Sequence, residues 1–175
     1  MLTADELIAL LGLRPLPVEG GYYRETYRSD DRLPVAALPA RYGSDKSAGT
    51  AIYYLLTPTT FSALHRLPTD EVYHFYLGDA VEMLQLSPDG TGRVVTLGQD
   101  VRAGQLLQTV VPRGVWQGSR LRPGGAVALL GTTMAPGFDF ADFEGGEQEA
   151  LIDAFPDFGG IIRSLSESSR SSGTV

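Results

Sequence analysis

The sequence predicts an all-β fold, a barrel or sandwich with short helices at its two ends. Three observations lead there. From about residue 13 to residue 135, short runs rich in Val, Ile, Thr, Tyr and Phe are broken by Gly, Pro and Asp turns. The run Phe61-Ser62-Ala63-Leu64-His65-Arg66-Leu67 can be read with the two-residue alternation of a strand. Helical signals fall only outside this stretch.

At the N-terminus, Thr3-Ala4-Asp5-Glu6 forms a T-x-x-E capping box ahead of Leu7, Ile8, Leu10 and Leu11, with Gly12 at the stop position, which predicts a helix over 4–11. Strands are expected at 21–29, 49–56, 61–66, 72–77, 81–87, 93–96, 105–111, 115–119 and 126–134. Pro88-Asp89-Gly90-Thr91-Gly92 supplies a preset φ and residues tolerant of positive φ, so it should close a hairpin between its flanking strands. Residues 30–48, with Pro34, Pro39 and Gly43, read as a long excursion, a lid or a crossing arm. A second helix is expected over 147–154. Residues 1–163 are expected to form a single domain, and the Ser-rich 164–175 an unstructured tail.

Composition narrows the partners. Fourteen Lys and Arg against 21 Asp and Glu give a formal charge of -7, which repels phosphate backbones and anionic lipid heads. Neither nucleic acid nor membrane is an expected partner. No stretch reaches the roughly 20 apolar residues of a spanning helix, and the first residues lack the features of a signal peptide, so a cytoplasmic location is expected. With no Cys in the chain, thiolate nucleophiles and Cys-based metal sites are excluded. A Gly-x-Ser-x-Gly elbow is also missing, so nucleophilic acyl chemistry has no support.

The chemistry-bearing residues cluster around one strand. Alternation puts Phe61, Ala63, His65 and Leu67 on one face; if that face lines a barrel, His65 points inside. Glu71 opens the next strand and shares its face with Tyr73, Phe75 and Leu77, so Glu71 and His65 can meet in the interior. A carboxylate there costs several kcal/mol unless it is paired or liganded. Its candidate partners are His65, Arg24 or a metal. His74, three residues beyond Glu71, falls on the opposite face. His65 itself has two readings: a hydrogen-bonded interior histidine or a working one.

These residues resemble the cupins. The general cupin pattern of His-x-His, Glu and Gly reads here as His65-Arg66-Leu67, Glu71 and Gly78, with Leu67 in place of the second His. The second cupin segment reads as Gly104 and Pro112-Arg113-Gly114-Val115-Trp116-Gln117, with Gln117 in place of the last His. A small cupin-like group of unknown function is matched more closely, through Glu19–Thr26, Asp70–Asp79, Val111–Gln117 and Ala135–Phe143. The resemblance implies a double-stranded β-helix, the RmlC-like jelly roll, with short N- and C-terminal helices, a homodimer, and a small-molecule ligand in the barrel.

Three functions remain open at this point. The first is acid/base chemistry on a sugar-like or other small metabolite, as in an isomerase or epimerase. His65 is then the base, oriented by Glu71, with Tyr53 or Tyr73 as acid. Arg24, Tyr53, Phe75, Trp116, Gln117, Phe138 and Asp139 are the candidate ligand contacts. The second is a metal-dependent oxygenase, isomerase or lyase holding a divalent ion (Mn, Fe, Ni or Zn) through His65, Glu71 and Gln117. The third is a non-catalytic metabolite-binding module using the same pocket.

Overall fold

The computed structural model describes residues 2–166. Helix α1 (Ala4–Leu11) starts at a complete capping box, Thr3 accepting from the Glu6 amide and Glu6 from the Thr3 amide, and stops at left-handed Gly12. Thirteen strands follow: β1 (Arg14–Pro15), β2 (Tyr22–Arg28), β3 (Arg32–Leu33), β4 (Lys46–Ser47), β5 (Thr50–Leu56), β6 (Phe61–Arg66), β7 (Glu71–Gly78), β8 (Val81–Leu86), β9 (Gly92–Leu97), β10 (Gln108–Val111), β11 (Trp116–Leu121), β12 (Ala128–Met134) and β13 (Glu144–Gly145). All nine expected strands form, and the additional ones are two-residue pieces. Helix α2 (Gln148–Ala154) matches the second expected helix, and α3 (Gly159–Ser164) was not foreseen.

The strands pair antiparallel into a six-stranded sheet, β1-β2-β5-β12-β7-β10, and a five-stranded sheet, β13-β6-β11-β8-β9. They enclose a core of Leu56, Tyr54, Tyr73, Phe75, Met83, Leu97, Val111 and Leu130. The jelly roll expected from the sequence is the fold observed. The 88–92 turn closes the β8–β9 hairpin as predicted, with Gly90 at φ 87° and the Thr91 amide bonded to the Asp89 carboxylate at 3.0 Å.

Two outer layers cover the sheets. Helix α1 lies over Leu13, Leu55, Val127 and Leu129 on the six-stranded sheet. Helices α2 and α3 cover Leu64, Leu84 and Leu86 on the five-stranded sheet with Leu151, Phe155, Ile162 and Leu165. Of the segment expected as a tail, Ser164 ends α3 and Leu165 is fully buried, because its side chain completes this apolar layer; residues 167–175 lie outside the described residues.

The 30–48 excursion folds back as the β3–β4 ribbon and is tied to the segment after β12. Buried Lys46 donates to Asp142 at 2.8 Å, and the Gly137 amide donates to the Ser47 carbonyl at 2.8 Å. It is a clasp at the open end of the barrel.

Candidate functional site

At that end a cavity of about 160 Å³ runs from an exposed rim of Arg14, Arg28 and Phe140 to a buried floor that includes His65, Leu67, Glu71, Thr132 and Met134. Glu19, Tyr23 and Phe138 also line it. Its size suits a small metabolite rather than a drug-sized ligand, whose pockets run to roughly 300–1,000 Å³.

The expected alternation of β6 is interrupted. Its partner β11 matches Gln117 to His65 but Ser119 to Ser62, so two residues of β6, Ala63 and Leu64, oppose the single Gly118 of β11, which is a β-bulge. The extra residue brings Ser62 and His65 to the inner side, while Phe61 and Leu64 pack outward under α2 and α3. The bulge also frees the Ala63 peptide for two cross-links. Its amide donates to the Glu19 carbonyl at 2.8 Å, and its carbonyl lies 2.7 Å from His65 Nδ1. A carbonyl only accepts, so Nδ1 carries a proton, and the neutral form of the ring then has its lone pair on Nε2. Phe143 stacks on the imidazole at 5.0 Å. His65 is 1% exposed and held in one orientation.

Glu71 opens β7 and faces the same cavity, but no hydrogen bond joins it to His65. Its Oε2 accepts from Gln117 Nε2 at 2.7 Å. Burial pushes the Glu71 carboxyl above its ordinary range, and the neighbouring Glu19 charge adds to this; His65, Thr132 and Gln117 pull the other way. Glu19 sits on the turn between β1 and β2 and takes a 2.8 Å hydrogen bond from Ser62 Oγ.

Several expected contacts fall elsewhere. Tyr73 is 1% exposed within the barrel core and does not line the cavity; burial first, then the Glu71 charge, pushes its phenol well above the usual value. Phe75 packs in the same core and does not line the cavity. Tyr53 lies on the outer face of β5, under α1, with its ring edge on Tyr76 at 5.9 Å. Arg24 lies over that Tyr53 ring at 5.5 Å, also outside. In both strands the inward positions belong to the alternate residues, Ile52 in β5 and Tyr23 and Glu25 in β2. Trp116 packs on the outer layer beneath α2 and α3 with Arg66 4.5 Å above its ring, because Gln117 takes the inward position. Asp139 caps the turn at Phe140–Asp142 and approaches Lys46 at 3.9 Å rather than lining the cavity. Phe138 does line it. His74 is outward as expected, bonded to Thr133 and Gln108 at 3.0 Å each.

Sequence reasoning missed Glu19, Arg14 and Arg28. Glu19 stood in the Glu19–Thr26 segment that carries the family resemblance, but no role in the site was assigned to it. Arg28 reaches the cavity because a second register shift, between Glu25 and Tyr27, resets the phase of β2.

The metal set inherited by position does not fit an ion. Leu67 puts an apolar side chain into the cavity where the cupin pattern has its second His. Gln117 aims its amide nitrogen, a donor, at Glu71, although its buried Oε1 lacks a protein partner. Among the described residues no three His, Asp or Glu side chains are grouped to hold a metal.

The family model "Cupin superfamily (DUF985)" matches residues 5–145. The chain is a cupin of the DUF985 group. An uncharacterized protein of Saccharomyces cerevisiae, YML079W, is 33% identical over 142 residues, covering 75% of this chain and 70% of that one. A hypothetical protein from Leishmania major superposes on this cupin with a TM-score of 0.84 at 33% identity, covering 94% and 99% of the two chains. Protein SO0799 from Shewanella oneidensis gives 0.82 at 36% identity, covering 95% and 99%. Oxalate decarboxylase of Bacillus subtilis shares the fold, at a TM-score of 0.51 and 14% identity, over 87% of this cupin and 37% of that chain. A structure of that enzyme is described by its Mn(II) centres. No helix among the described residues is long and apolar enough to cross a membrane.

Proposed function

We propose that this cupin binds a small metabolite in its barrel cavity and isomerises it by acid/base chemistry. The observation that carries the reading is the fixed tautomer of His65: Nδ1–H is held by the Ala63 carbonyl inside the cavity wall, and Nε2 is left as a base. Glu71 replaces the expected tyrosine as the acid, because burial favours its protonated form. His65 Nε2 takes a proton from the ligand and Glu71 returns one, so the ligand leaves as an isomer with no redox change. The rim arginines suit a ligand with an anionic end.

The test is nuclear magnetic resonance of the two imidazoles in protein purified without chelator or metal-affinity resin, with elemental analysis of the same sample. The expected result is a neutral His65 protonated on Nδ1, a metal-free protein, and a ring signal that moves with small carboxylates. Near-stoichiometric divalent metal that disappears in His65→Ala would overturn this and promote the metalloenzyme reading.

We also propose that the protein is a homodimer. Among the described residues β1 covers only Tyr22 and Tyr23 of β2, which leaves the edge from Arg24 to Arg28 for a strand of a second copy. A monomer in light scattering at micromolar concentration would sink this.

A further inference from the structure

We propose that Glu19 is a specificity-determining residue of the cavity, placed by a strained turn to accept a hydrogen bond from a hydroxyl or ammonium group of the bound ligand. This rests on the cavity's being the binding site.

The turn is costly to build. Val18, just before Glu19, has a φ of 68°, a left-handed conformation that a β-branched residue rarely adopts. Its side chain is 63% exposed, so burial does not offset the strain. What holds the turn is a set of bonds converging on it. The Leu16 amide donates to the Gly21 carbonyl at 3.0 Å and the Gly20 amide to the Leu16 carbonyl at 3.1 Å. Buried Tyr54 donates its hydroxyl to the Gly20 carbonyl at 3.0 Å. Gly21 sits at φ 71°, where an added Cβ would meet Tyr54 Oη at 2.8 Å. The bulged strand grips Glu19 itself twice, through the Ala63 amide on its carbonyl and the Ser62 hydroxyl on its Oε1. The same Ala63 peptide fixes His65, so a single residue sets both groups in the cavity wall.

The chemistry of the lining names the ligand group. Glu19 and His65 Nε2 both accept hydrogen bonds, so the ligand has to supply donors. A carboxylate offers about four acceptor sites, and Ser62 occupies one of those on Glu19. At the rim, Arg14 bonds Tyr23 at 3.1 Å and makes no ion pair with a carboxylate among the described residues. A compact molecule with a carboxylate at one end and a hydroxyl or amine at the other satisfies both ends of the cavity.

Three probes share one carbon skeleton: propionate, L-lactate and L-alanine. They are titrated into the full chain while the His65 ring signals are followed, with outward His74 as internal control. Lactate or alanine is expected to move His65 at about tenfold lower concentration than propionate, and Glu19→Gln to remove that preference. Lactate leading assigns a hydroxyl, alanine an ammonium group. Val18→Gly covers the case of a misfolded Glu19 variant: its melting temperature should rise and the preference should weaken. A preference that survives both substitutions overturns the proposal and leaves the acid/base reading standing. Propionate equalling the other two in the wild type overturns it as well, and a His65 unmoved by any probe overturns both.

Discussion

The two faces of β6 are built on opposite principles. Its outward side chains, Phe61 and Leu64, join Leu84, Leu86, Ile162 and Leu165 in an apolar layer beneath α2 and α3. Its inward ones at the open end, Ser62 and His65, sit among Glu19, Glu71 and Gln117. The apolar layer relies on area removed from water, which is indifferent to direction. The interior relies on directed hydrogen bonds, each of which leaves a buried group unsatisfied when its partner goes. Stability should therefore be concentrated outside the barrel and chemistry inside it.

Substitutions on the two faces test this division. Leu84→Ala opens a cavity at a fully buried site in the outer layer and should cost about 2–5 kcal/mol in urea denaturation, with the His65 ring signal unchanged. A shifted His65 signal would mean that the faces are coupled through β6. Gln117→Leu strips Glu71 of its donor and should cost about 1–3 kcal/mol, while displacing the His65 signal. The smallest effect concerns pH. The folded chain raises the Glu71 pKa, so the native state retains a proton that the unfolded state has released. Wild-type stability then falls as pH climbs from the ordinary carboxylate range through the raised value. Glu71→Gln keeps an acceptor for Gln117 without the titration, so its stability relative to wild type should increase over that interval. Parallel urea midpoints for the two proteins would show that Glu71 does not titrate this way.

The outer layers were the more legible half. The Thr3 capping box and the stop at Gly12 specify α1, and the Asp89-Gly90 turn specifies the β8–β9 hairpin, because these signals lie within a few consecutive residues. His65 and Glu71 were placed inside by period-two reasoning, and both are there. That reasoning erred where a bulge resets the phase. The additional residue in β6 turned Ser62 inward, and the shift in β2 made Arg28 a rim residue. Arg24 and Tyr53 were misplaced for a related reason: a strand pattern says which residues share a face but not which face is inner. Glu19 was hidden because its role depends on Val18 holding a conformation that its residue type does not suggest.

The clasp at Lys46 bears on how this chain can be altered. The excursion and the segment bearing Phe138, Phe140 and Phe143 are far apart in sequence, yet the Lys46–Asp142 pair and the Gly137–Ser47 bond make them one mechanical part. A change of charge at 46 needs a matching change at 142. Between the tied ends, residues 35–40 are largely exposed, which makes this stretch the place where a graft or an inserted tag can be carried without disturbing the rim of the cavity.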